Sequence, residues 1–174
     1  MHRIGKILLP AMILFAVLPL ASFAAAESGE EKVLSLENVT LSCYALGGDV
    51  KTLKDPVEAV YVTKGDAVYA LFWLKQMLTE GKREQKYFSM KDTLCITVFR
   101  GFFPGLSKVS VKKVSLKDNR FDIYVEYLDN PEYSTPTQPA AIIPVGQLSP
   151  GAYTVNLFVG NELRKTNGFK VKGR

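Results

Sequence analysis

The only histidine of this 174-residue chain, His2, stands at its amino terminus, in a stretch with the form of a removable leader. Without it no imidazole remains for a catalytic triad, a histidine acid–base step or a histidine metal site. The reactive groups left are carboxylates, serines, lysines and the thiols of Cys43 and Cys95. Asp122 and Glu126 alternate onto one face of a predicted strand. At the usual rise per residue they stand about 13 Å apart, too far to share a proton. Ser107-Lys108 and Ser115-Leu116-Lys117 have the residue types of a serine–lysine dyad, but no glycine-rich elbow accompanies either. The two cysteines show neither a CxxC nor a metal-ligand spacing. These residues point away from an enzyme, and no cofactor or metal is expected.

The leader sets the compartment. Arg3 and Lys6 precede an apolar run from Ile7 to Leu20, and Ala24-Ala25-Ala26 resembles a leader-peptidase site. Residues 1–26 read as a signal peptide and 27–174 as one exported β-rich domain, periplasmic or secreted. Ile7 to Ala26 is also about the length of a spanning helix, so a retained anchor is the alternative. Pro10 and Pro19 interrupt that run, and no cysteine follows it for a lipid anchor. After cleavage no stable membrane insertion is expected. Of the net charge of +5, Arg3 and Lys6 account for two, and the remainder is mildly basic with no Lys/Arg run, which argues against nucleic acid as a partner. Lys108, Lys112, Lys113, Lys117 and Arg120 gather around a predicted hairpin, where charges solvate a face or protect a strand edge.

In an oxidising compartment an isolated cysteine pair reads as a disulfide. Cys43 lies on the apolar side of the alternating run Val39 to Ala45, and Cys95 lies in Leu94 to Phe99, apolar on both faces like a central strand. A Cys43–Cys95 bridge closing a loop of about fifty residues would stabilise by roughly 4 kcal/mol. Two buried free thiols are the alternative, since cysteine is also a small core residue.

The elements follow from periodicity. Thr63 and Asp66 fit a T-x-x-D variant of the capping box, and Gly81 stands where a helix C′ glycine is expected. Between them Ala67, Ala70, Leu71, Leu74 and Leu78 repeat at helical spacing, widened by Val68, Phe72, Trp73 and Met77, which predicts a largely buried helix. Val109 to Val111 and Val114 to Leu116 alternate out of phase across Lys112-Lys113, which predicts a bulge. Asp118-Asn119 then turns the chain into Phe121, Ile123, Val125 and Tyr127, completing a hairpin. Asp129 to Pro144 carries four prolines, too many for a central strand and suited to an ordered crossover or edge segment. Tyr153 to Val159 alternates, and Gly160-Asn161 turns it back. The fold class is mainly β, an antiparallel immunoglobulin-like sandwich of seven to nine short strands with one buried helix.

The order of these elements resembles a known family. A helix with an internal Trp73, a polar spacer, the strand Leu94 to Phe99, Arg100-Gly101, a Pro/Gly turn, a hairpin and a proline-rich segment with Thr137-Gln138 is similar to the C-terminal domain of PrcB-type protease-complex subunits. The resemblance spans Thr63 to Val145, about half the chain. The family's turn reads Pro-Thr-Gly-Gly-Tyr, whereas this chain has Phe103-Pro104-Gly105-Leu106-Ser107. It implies a small exported β-rich protein whose partner is a protease that it stabilises.

The expected function is a non-catalytic binding or stability module for another envelope or secreted protein, a protease being one candidate. Its expected surface is two proline-bearing loops, Phe102, Phe103, Pro104 and Gly105 in one, Tyr133, Thr137, Gln138 and Pro139 in the other. Aromatics and prolines on a rigid sandwich recognise well because little ordering remains to be done on binding. Core capping by Phe102 and Phe103 is the plainer reading. An immunoglobulin-like proteinase inhibitor, with the Phe103-Pro104-Gly105 turn as its wedge, is the alternative function.

Overall fold

The strand Leu94–Phe99 is buried at every position, which requires apolar layers on both of its faces. The computed structural model describes residues 29–45, 58–80 and 83–173, so the expected leader and Gly81 lie outside the described residues. The elements are β1 Lys32–Val33, β2 Thr40–Ala45, β3 Ala59–Lys64, α1 Ala67–Glu80, β4 Tyr87–Ser89, β5 Leu94–Phe99, β6 Leu106–Lys117, β7 Arg120–Asn130, β8 Thr137–Gly146, β9 Gly151–Val159 and β10 Glu162–Lys172. They form a six-stranded sheet in the order β1-β6-β7-β9-β10-β4 and a four-stranded sheet in the order β2-β8-β5-β3. Among the described residues the protein is a mainly β, two-sheet sandwich with one helix.

Alternation sorts the small sheet into two faces. Val60, Val62, Leu94, Ile96, Val98, Ala141 and Ile143 meet Val109, Phe121, Ile123, Val125, Val155 and Leu157 of the large sheet in the main core. On the other face Cys95 and Ile142 pack under Ala70, and Phe99 and Ala140 pack under Leu74. The helix is thus a third layer, and β5 is buried on both sides because it lies in the middle one.

The hairpin forms as its sequence predicts. Asp118 and Asn119 take positive φ values of 49° and 61°, the two-residue turn whose twist matches the strands. The register of β6 on β7 shifts between Val111 and Lys113, at the expected bulge.

Several expectations are corrected. The sandwich is not wholly antiparallel: β7 runs parallel to β9, and β4 parallel to β10. The chain leaves the large sheet after β7, crosses the small sheet as β8 and returns as β9 in the direction of β7. The proline-rich segment is not an edge, since β8 lies between β2 and β5. Its prolines fall where a strand interior tolerates them. The Pro139 carbonyl accepts the Arg100 N–H at 3.1 Å, just past the end of β5, so the N–H that proline lacks falls where the ladder stops. Pro144 pairs with Cys95 at a register shift.

The helix starts one turn later than a Thr63 cap would place it. Asp66 is the N-cap, its Oδ1 accepting the Tyr69 N–H at 2.9 Å, and Thr63 belongs to β3. Nor is the helix buried all round. Ala70, Trp73 and Leu74 face the sheet, while Val68 and Phe72 are 74% and 57% exposed. One sheet lies beneath the helix, and it covers only one stripe of an apolar surface. No helix among the described residues is long and apolar enough to cross a membrane.

The disulfide expectation is also corrected. Cys95 is a buried free thiol whose Sγ lies 3.4 Å from the Gly65 carbonyl oxygen. The side chain of Cys43 lies outside the described residues. Along their shared neighbour β8, the backbone at Cys43 pairs with Pro139 and that at Cys95 with Pro144. Those two prolines are separated by roughly 17 Å of strand, against Cα separations of roughly 4–7 Å in a disulfide.

Candidate functional site

At the end of β5 the chain passes from buried Phe99 into Arg100 and then Gly101, whose φ of 90° turns it out of the sheet. The Arg100 guanidinium lies between two rings, 4.1 Å from the centre of Phe103 and 4.8 Å from that of Tyr127. Its Nη2 bonds Asp129 Oδ2 at 2.7 Å, and Asp129 Oδ1 accepts the Ser107 hydroxyl at 2.7 Å. The Tyr127 hydroxyl donates to Glu58 Oε2 at 2.6 Å, and Arg164 Nε reaches Glu58 Oε1 at 3.4 Å. Burial first, and then its bond to Glu58, holds the Tyr127 hydroxyl far above its ordinary titration range. Charges and rings here lock the two sheets together.

The turn after Arg100 is equally constrained. Phe103 and Thr137 bond each other's backbone at 2.9 Å in both directions. The Thr137 Oγ1 donates to the Gly105 carbonyl at 2.6 Å and accepts the Ser107 N–H at 3.1 Å. A Cβ on Gly105 would sit 2.7 Å from the Asn130 carbonyl oxygen, so only glycine fits this close approach.

The structure therefore brings the two expected loops together at Phe103 and Thr137, but divides their residues between surface and frame. Phe102 and Tyr133 are 40% and 56% exposed. Pro104 is exposed and Phe103 half-buried. Gly105, Thr137, Gln138 and Pro139 are buried, which removes them from any contact surface. The reason is that β8 starts at Thr137, earlier than a proline-rich stretch suggests, and carries these three residues into the middle sheet.

Sequence reasoning missed Arg100, Tyr127, Asp129 and Leu128. Leu128 is 53% exposed, and a signal for it existed: it is out of phase with the inward series Phe121, Ile123, Val125 and Tyr127. Nothing local marked the stacking of Arg100, because its rings come from a turn and from the other sheet.

The two carboxylates considered for catalysis are each engaged. Asp122 accepts from Arg120 Nε at 3.1 Å and from Asn156 Nδ2 at 2.9 Å, whereas Glu126 pairs with Lys112 at 2.8 Å. Lys113 pairs with Glu31 at 2.6 Å. Among the described residues no group of three or more His, Cys, Asp or Glu side chains could hold a metal ion. Comparison with protein-family models, with curated proteins and with solved structures finds no match.

Proposed function

We propose that this protein acts by contact, as an exported non-catalytic binding or stability module for another exported protein, through the turn carrying Phe102 and Pro104 and the neighbouring loop carrying Tyr133. The observation that supports this reading is the exposure of Phe102 and Tyr133 beside a backbone already held by the Phe103–Thr137 pair. Gly105 abuts Asn130 and Pro131, so the two loops are neighbours. Exposed aromatics on a pre-ordered frame bind with little entropy left to lose. The resemblance to PrcB-type domains makes a protease the first partner to test.

A photocrosslinking residue placed at Phe102 or at Tyr133 should capture one and the same protein in the native envelope fraction. The same residue at Glu162, on the β9–β10 turn, should not. Phe102→Ser with Tyr133→Ser should abolish that complex while leaving the melting temperature unchanged. Equal capture from position 162, or a complex that survives the double substitution, would refute the assigned surface.

A further inference from the structure

We propose that the cleft between α1 and the edge of β3 is a binding site for a small aromatic carboxylate, separate from the contact surface above. β3 is an edge strand of the small sheet, and residues 83–85 run alongside it, with Glu84 Oε1 accepting the Val62 N–H at 3.4 Å. Helix, strand and this segment enclose a cleft of about 130 Å³. Tyr69 and Trp73 line it from the helix, Val62, Thr63 and Lys64 from the strand, and Arg83 and Gln85 from the segment beside it.

Its charge singles it out. Lys64 and Arg83 are exposed at the same cleft, and neither has an ion pair among the described residues. The nearby acids are committed: Glu84 to Lys86 at 2.7 Å and to Asn167 at 2.6 Å, Asp66 to the helix N-terminus. The cleft therefore carries two cations without an ion-pair partner among the described residues.

Size and lining define the ligand. An apolar cavity of about 150 Å³ holds one benzene ring, so this cleft takes a single ring or its equivalent. Tyr69, 41% exposed, borders it together with the little of Trp73 that is exposed, and a carboxylate at its end receives charge-assisted bonds from Arg83 and Lys64. A bare anion would leave the aromatic lining unused, and a neutral ring would leave the cations unpaired.

Trp73 is the only tryptophan, so its emission reports on the cleft directly. Titration of the purified protein with benzoate should change that emission saturably. Benzamide, which has the same shape without the charge, and inorganic phosphate, which has charge without a ring, should each bind at least tenfold more weakly. Lys64→Met with Arg83→Met should weaken benzoate at least tenfold at an unchanged melting temperature. Absence of a saturable change, benzamide equal to benzoate, or binding unaffected by loss of both cations would overturn the proposal. Phosphate equal to benzoate would overturn the assignment of an aromatic ligand. None of these outcomes depends on whether Phe102 and Tyr133 contact a protein.

Discussion

Phe103 and Thr137 exchange backbone hydrogen bonds at 2.9 Å in each direction, and the Thr137 hydroxyl binds both the Gly105 carbonyl and the Ser107 N–H. One side chain thus ties the start of β8 to the turn and to the first residues of β6. Thr137→Val keeps the shape but strands a buried carbonyl and a buried N–H. It should destabilise by about 1–3 kcal/mol, read as a lower urea midpoint at an unchanged slope. Thr137→Ser should recover most of the loss. A valine variant as stable as the parent would show that water replaces the hydroxyl.

Trp73 and Phe72 are adjacent in sequence and opposite in environment. Trp73 is 6% exposed and meets Tyr61 edge to face at 5.8 Å, whereas Phe72 is 57% exposed. Trp73→Ala should cost about 3–5 kcal/mol, and Phe72→Ala no more than about 0.5 kcal/mol. Equal costs in chemical denaturation would mean that the exposed stripe of the helix is covered in solution.

Burial raises the Cys95 thiol to about 11 from 9.0, and the Asp66 carboxylate adds to the shift. The folded protein therefore keeps this proton at pH values where the unfolded chain has released it. The stabilising contribution is complete below pH 9.0 and declines as pH rises through about 11. Above pH 10.0 the raised Tyr127 hydroxyl acts in the same direction. Denaturation measured across this range should show stability falling with pH, and Cys95→Ala should reduce the slope between pH 9.0 and about 11. An unchanged slope in the variant would assign the whole decline to other groups. In the folded protein near neutral pH, alkylation of Cys95 should be at least tenfold slower than in the unfolded chain, because the thiolate is the nucleophile.

Much of the core was legible in advance. The run Leu94 to Phe99, apolar on both faces, marked a strand covered on both sides, and the phase change across Lys112-Lys113 marked the shift now seen between Val111 and Lys113. Both signals are local, because alternation of two residues is written into the strand itself. The site was legible only in part. Phe102 and Tyr133 are exposed, whereas Thr137, Gln138 and Pro139 read as loop because proline is usually absent from central strands. Here Pro139 lies where the neighbouring ladder ends and Pro144 at a register shift, and neither circumstance is visible without the partner strand.

The sequence by itself determined which strand side chains seek the interior, the inward series Phe121, Ile123 and Val125 and the buried Cys95; on the helix it marked Val68 and Phe72 together with Ala70, Trp73 and Leu74, and only the last three are buried. Only the tertiary structure decided what they meet. It set Pro139 and Pro144 between the two cysteines, ran β9 parallel to β7, stacked Arg100 between Phe103 and Tyr127, and brought Lys64 and Arg83 to one cleft. Burial preference is a property of each residue and its near neighbours in sequence. Pairing between distant segments is chosen by the packing of the whole chain, so the cleft and the contact surface come into being only when the layers close.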